Sequence, residues 1–185
     1  MVKINACVFI SGKGTNLKKL LLNSNLYNFP IRIKLVVSSN KNAAGLKLAK
    51  KWSIPYLIFK DNQNLTENIM LNKLKYHKIN LILLAGFMKI LSKRFIRSFG
   101  KPILNIHPSL LPKFKGLNTF EKVLKEKEKK TGCTVHFVNE KLDAGQIVLK
   151  KIFYIDKKDN IASLKKKTQI LEYNAFSDAI IKVNK

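Results

Sequence analysis

Acidic residues are scarce in this chain of 185 residues: 11 Asp and Glu stand against 36 Lys and Arg, a formal net charge of +25. None of the acidic residues precedes Asp61. A dinucleotide-binding turn needs an acidic residue about 20 positions after its glycines to hold the ribose hydroxyls, so the N-terminal half does not read as a redox-cofactor site. Cysteine is scarce as well. Cys7 and Cys133 have no CxxC spacing and no adjacent ligand, which argues against a disulfide framework or a metal site and leaves both as reduced residues buried in strands. No apolar run approaches the roughly 18 residues that a membrane-spanning helix needs, and the apolar part of MVKINACVFISGKG is too brief for a secretion signal. The expected place of action is the cytoplasm, with no membrane partner. Lysines are spread over nearly every segment, with few aromatics interleaved as a base-stacking surface would require, so they read as a solvated coat and no specific nucleic acid is expected.

What is present is an alternation. Runs rich in β-branched residues at Ile4 to Ile10, Ile31 to Val37, Tyr56 to Phe59, Leu81 to Ala85 and Pro102 to Ile106 are separated by segments with helical spacing. The helices are expected near Leu17 to Leu22, Ala43 to Trp52, Leu65 to Tyr76 and Ile90 to Phe99. Strand-like runs follow at Thr134 to Val138 and Gln146 to Tyr154, then a last helix from about Ile161 to Val183. The pattern predicts an α/β fold: a single open, mostly parallel sheet with helices on both faces and mixed final strands. One domain over 1–185 is expected, with a phosphate-binding half at 1–100 and a catalytic and folate-closing half at 101–185.

The first strand runs into Ser11-Gly12-Lys13-Gly14-Thr15-Asn16-Leu17, where glycines let the backbone approach a ligand and a helix N-terminus follows. Lysine lies between the glycines, so this is no Walker motif, and position 17, where a third glycine would complete the dinucleotide fingerprint, is leucine. Phosphate is the natural guest, although an ordinary strand-to-helix turn has the same glycines.

The segment Pro102 to Pro108 puts Asn105 and His107 on one face of a strand, and Pro108 ends that strand at its carboxyl end, where open α/β sheets bind ligands. An amide donor and an imidazole at one strand end suit the oxyanion of acyl transfer. Asp143, in the turn Leu142-Asp143-Ala144-Gly145, is the carboxylate able to orient and charge that imidazole. His77 reads as a helix-end residue. His136 reads as a strand residue that shares a face with Thr134 and is able to support the site from behind. Ser109 lacks the setting of a nucleophile elbow, so direct attack by a substrate amine is the simpler chemistry.

Four ordered blocks then resemble one family over nearly the whole chain. They are Ile10 to Leu17, Leu84-Ala85-Gly86-Phe87-Met88-Lys89-Ile90-Leu91-Ser92, Leu104 to Pro112, and Gly132 to Val138 running into Leu142 to Gly145. The chain is similar to the phosphoribosylglycinamide formyltransferases, folate-dependent enzymes of purine synthesis with a Rossmann-like formyltransferase fold. The resemblance implies that Gly14, Thr15 and Asn16 hold the phosphoribosyl group, helped by Gln169 and Glu172 from the last helix. It implies that Met88, Lys89, Ile90 and Leu91 line the pocket of 10-formyltetrahydrofolate, over which Glu140, Lys141, Leu142 and Asp143 close. The implied catalytic set is Asn105, protonated His107 and Asp143, acting without a metal on small-molecule substrates in a monomer or homodimer.

The chain departs from that pattern in two places. Relatives carry an arginine after the third strand, whereas none occurs between Phe59 and Tyr76, leaving Gln63 or Asn64 there. The chain ends at Lys185, where relatives commonly extend further. Three other functions compete. A formyl-folate hydrolase would use the same three residues, a methionyl-tRNA formyltransferase is expected to carry a further C-terminal domain, and a basic nucleic-acid-binding protein would show steeply salt-dependent binding.

Overall fold

The computed structural model describes residues 2–60 and 63–184, with the Gln63 side chain outside the described set. Its elements run β1 (Ile4–Ile10), α1 (Thr15–Ser24), β2 (Ile31–Ser38), α2 (Gly45–Lys51), β3 (Tyr56–Ile58), α3 (Gln63–Tyr76), β4 (Leu81–Leu84), α4 (Lys93–Phe99), β5 (Ile103–His107), α5 (Thr119–Lys125), β6 (Lys130–Phe137), β7 (Ile147–Tyr154) and α6 (Ile161–Val183). The strands form an open seven-stranded sheet in the order β3-β2-β1-β4-β5-β6-β7. The chain divides into two compact units, Met1–Leu104 and Asn105–Lys185.

In the first unit β1 is the central strand, paired in parallel with β2 from Ile4↔Ile31 to Ile10↔Ser38 and with β4 from Ala6↔Leu81 to Phe9↔Leu84. Strands covered on both faces read as unbroken apolar runs rather than alternating ones. Accordingly Ala6 to Ile10, Leu35 to Val37 and Leu81 to Leu84 are all buried. An aromatic chain grows from this core: Phe9 meets Phe87 edge-on with centroids 5.1 Å apart, Phe87 meets Phe59 at 5.7 Å, and Phe9 lies beside Phe95.

The second unit is built on the antiparallel pair β6 and β7, registered from Lys130↔Tyr154 to His136↔Ile147. Helix α6 buries Leu164, Thr168, Ala175, Phe176, Ala179 and Ile180, a stripe at helical spacing. Its start is set by a reciprocal cap, in which Asn160 accepts from the Ser163 N–H at 3.0 Å and the Ser163 hydroxyl accepts from the Asn160 N–H at 2.9 Å. The strand-like end of the chain is therefore longer than expected, since β6 starts at Lys130 rather than Thr134.

Two other expectations need correction. The helix expected from Ile90 starts only at Lys93, because Ser92 caps it through the Phe95 N–H. Met88 to Ser92 is irregular chain. Helix α5 was not expected: its seven residues are mostly polar and bury only Thr119 and Val123, too few positions to display a period. In α3, expected from its helical spacing, the apolar Leu65 and Ile69 are exposed, whereas Thr66, Glu67, Met70 and Leu74 are buried.

Close packing gives two stability predictions. A Cβ on Gly132 would lie 1.9 Å from the Lys151 carbonyl oxygen, backbone against backbone, so Gly132→Ala should cost about 3 kcal/mol or more in urea unfolding. Removing one cap with Asn160→Ala should cost only about 1 kcal/mol. A reversed order would mean that the β6–β7 contact is loose.

Candidate active site

Four polar side chains converge inside the second unit, where polar groups are buried at a cost unless they find partners. His107 is 5 % exposed, Asp143 9 % and His136 2 %, with Asn105 half-buried among them. Asp143 stands in the β6–β7 turn at φ 47, the left-handed region that short polar residues tolerate best. Its Oδ2 accepts from the Gly116 N–H at 2.8 Å and lies 3.4 Å from His107 Nδ1. Its Oδ1 is 3.5 Å from Asn105 Nδ2 and 3.7 Å from His136 Nε2. The turn expected from Leu142-Asp143-Ala144-Gly145 thus delivers its carboxylate to both residues of β5.

Carbonyl partners settle where the protons sit. His107 Nε2 is 2.8 Å from the Phe114 carbonyl, which can only accept, so Nε2 carries a proton. His136 Nδ1 likewise donates to the Phe137 carbonyl at 2.8 Å. His136 Nε2 is thereby turned toward Asn105 Nδ2 at 3.1 Å and Asp143 Oδ1 at 3.7 Å. His136 is the residue that sequence reasoning left in a supporting role, and its contact with Asn105 gives that role a geometry. Thr134, on the same face of β6, accepts from the Leu111 N–H at 3.1 Å and donates to the Ser109 carbonyl at 2.7 Å, latching the loop that supplies Phe114 and Gly116.

Burial pulls the His107 ring below its ordinary 6.5, and the Phe114 carbonyl and the Asp143 charge pull it back only in part. Without ligand the ring is therefore poised toward neutral, and the charge expected from Asp143 does not win. Burial pushes the Asp143 carboxyl up, but the contacts from His136 and the Gly116 N–H and the charge of His107 outweigh it and hold the group below its ordinary value. An ionised Asp143 facing the bare Nδ1 of His107 is a contact between two acceptors. It becomes favourable when the ring takes a second proton, so Nδ1 is the place where that proton is received.

The other expected site residues lie as follows. Gly14 precedes α1 at φ 73, and the first turn of that helix carries no acidic residue and no side-chain cap. An N-terminus of that kind suits an anion. The turn is pressed against Gly45, whose N–H donates to the Gly12 carbonyl at 3.1 Å, and a Cβ on Gly14 would stand 2.6 Å from Gly45 Cα. Thr15 is half-buried and Asn16 buried. In the segment 88–91, Met88 and Ile90 are 68 % and 70 % exposed while Leu91 is buried. Glu140, Lys141 and Leu142 are exposed in the same loop that buries Asp143. Gln169 and Glu172 share a face of α6, and the Glu172 charge, after burial, helps push the Cys133 thiol up to about 12. Where an arginine was missed, Arg94 of α4 reaches across to α3, donating to Asn68 Oδ1 at 2.9 Å and to the Asn64 carbonyl at 3.3 Å.

Residues 4–180 match the family model described as formyl transferase. The chain belongs to the formyl transferase family. A phosphoribosylglycinamide formyltransferase of Haemophilus influenzae is 39% identical over 174 residues, 91% of this chain and 82% of that protein. The trifunctional purine biosynthetic protein adenosine-3 of Homo sapiens is 38% identical over 183 residues, which is 96% of this formyl transferase but only 18% of the longer relative. The crystal structure of a phosphoribosylglycinamide formyltransferase from Brucella melitensis matches with a TM-score of 0.93 at 34% identity, covering 98% of this chain and 96% of that one. The family and the fold expected from the four sequence blocks are both found. Among the described residues no helix is long and apolar enough to cross a membrane.

The shifts carry signs that titration can check. Both folded-state values lie below the ordinary 6.5 and 3.8, so the unfolded chain binds more protons at each group, and both contributions to stability fall as pH drops. The His107 contribution is lost going down from about 6.5 and that of Asp143 below about 3.8. In a proton NMR titration of the ligand-free protein, His107 should titrate below 6.5, and Asp143→Asn should lower it further by removing the charge that favours imidazolium. A rise in that variant would contradict the assigned balance.

Proposed function

We propose that this chain is a phosphoribosylglycinamide formyltransferase acting in the cytoplasm on small-molecule substrates. It moves the formyl group of 10-formyltetrahydrofolate to the glycinamide amine of phosphoribosylglycinamide, in de novo purine synthesis. The observation that carries the reading is the convergence of an amide donor, an imidazole and a buried carboxylate at the carboxyl end of β5. Residues 1–100 form the phosphate-binding half and residues 101–185 the catalytic and folate-closing half of one formyltransferase domain. Gly14, Thr15 and Asn16 take the phosphoribosyl group, with Gln169 and Glu172 assisting. Met88, Lys89, Ile90 and Leu91 take the folate, for which the exposed Met88 and Ile90 offer apolar surface. Glu140, Lys141 and Leu142 close over it.

The substrate amine attacks the formyl carbon, a C–N bond forms, and the carbonyl electron pair moves onto oxygen. Asn105 and a protonated His107 stabilise that oxyanion. Both amide hydrogens of Asn105 are engaged without ligand, and the 3.5 Å contact with Asp143 is the weaker of the two and the one that an oxyanion displaces. Asp143 favours the proton on His107 Nδ1. Collapse of the intermediate breaks the bond to the folate nitrogen, which gains a proton as the attacking amine loses one, relayed by His107 or by water in its place. Acceleration then comes from positioning and electrostatics rather than from a covalent intermediate.

Purified protein incubated with 10-formyltetrahydrofolate should release the deformylated folate, followed by absorbance, only when phosphoribosylglycinamide is added. Release without the nucleotide would instead identify a hydrolase. His107→Ala and Asp143→Asn should each lower kcat by about 100-fold or more with unfolding transitions retained. Asparagine is preferred to alanine at 143 because alanine would leave the half-buried Gly116 N–H without its acceptor.

A further inference from the structure

The segment Phe87 to Ser92 joins β4 to α4 without regular secondary structure, and a ligand-binding wall needs its shape held by something other than a backbone ladder. Three contacts supply that hold. Phe87 is wedged edge-on against Phe9 and Phe59. The Met88 N–H donates to Ser11 Oγ at 2.8 Å, and Ser11 in turn lies 2.5 Å from Ser39 Oγ. At the far end Glu67 of α3 receives two bonds from one residue, the Ser92 N–H on Oε1 at 2.9 Å and the Ser92 hydroxyl on Oε2 at 2.5 Å.

Glu67 is the unexpected member. Its exposure is 0 %, at an inward position of α3 where an apolar residue is the ordinary choice, and a buried carboxylate is costly unless it has work to do. By taking the Ser92 hydroxyl proton it points that oxygen's lone pairs at the Phe95 N–H, 3.0 Å away, so one carboxylate sets both the end of the segment and the start of α4. Between the two anchors Leu91 is buried while Met88 and Ile90 are turned outward.

We infer that Ser11 and Glu67 are positioning residues for the folate substrate: they clamp the two ends of 88–92 so that Met88 and Ile90 stand preformed as its apolar wall. Ser11 also opens the phosphate turn, so the wall and the turn hang on one hydroxyl. This rests on the folate reading of 88–91 given above. A preformed wall reduces the ordering cost of binding, and its loss shows as weaker binding rather than slower chemistry.

Steady-state kinetics with each substrate varied separately, on wild type, Glu67→Gln, Glu67→Ala, Ser92→Ala and Ser11→Ala, test it. The expected result is a rise of about three- to tenfold in KM for 10-formyltetrahydrofolate in Ser92→Ala and Ser11→Ala, with kcat within about twofold. Ser92→Ala, remote from the phosphate turn, should leave KM for phosphoribosylglycinamide unchanged. Glu67→Gln, which keeps one acceptor oxygen, should fall between wild type and Glu67→Ala. Amide exchange should quicken at Ser92 in the Glu67 and Ser92 variants and at Met88 in Ser11→Ala. If Glu67→Ala fails to fold, Ser92→Ala and Ser11→Ala carry the test. An active wild type whose variants keep the folate KM, or lose kcat and melting temperature with KM intact, overturns the clamp while leaving the transferase standing. An inactive wild type overturns the function itself, and with it the folate role of the clamp.

Discussion

Asp143 is an ionised carboxylate almost fully withdrawn from water, and the arrangement of the second unit follows from keeping it there. A charge in that position costs several kcal/mol unless hydrogen bonds replace its hydration. The replacement comes from the Gly116 N–H and from Asn105, with the rings of His107 and His136 standing 3.4 and 3.7 Å away, all drawn from three separate stretches of chain. Each donor constrains the stretch that bears it. The β6–β7 turn closes so tightly that a Cβ on Gly145 would stand 1.8 Å from the Phe137 carbonyl oxygen, and Asp143 itself is held at positive φ.

The same economy runs through the proton positions. Two backbone carbonyls, of Phe114 and Phe137, each take one ring proton and thereby decide which nitrogen of His107 and His136 faces the other groups. Neither carbonyl belongs to a residue with chemistry of its own. They act by leaving His107 Nδ1 toward Asp143 and His136 Nε2 toward Asn105.

In the first unit, hydroxyl and carboxylate anchors do what regular structure does elsewhere. The glycine turn before α1 is braced by the Gly45 backbone, and the irregular 88–92 segment by Ser11 and Glu67.

The order of strands and helices, the glycine turn, and the placing of Asn105 and His107 at a proline-marked strand end were legible in the sequence because each is a local property: hydrophobic period, glycine conformation and the missing N–H of proline act within a few residues. The identity of Asp143 as a turn carboxylate was legible for the same reason. Its contact with His107 was not, since 36 positions of chain separate the two numbers and only folding brings them to 3.4 Å. Helix α5 was missed because seven mostly polar residues show no period, and the start of α4 was misplaced because a buried glutamate and a serine cap override the apolar pattern of Ile90 and Leu91. The burial of Glu67 was not legible, because nothing in the local pattern marks one polar residue of a helix as buried, whereas the fold leaves it 0 % exposed. Local rules determined which elements exist, and the pairing of buried polar groups, a property of positions far apart in the chain, decided how they make a site.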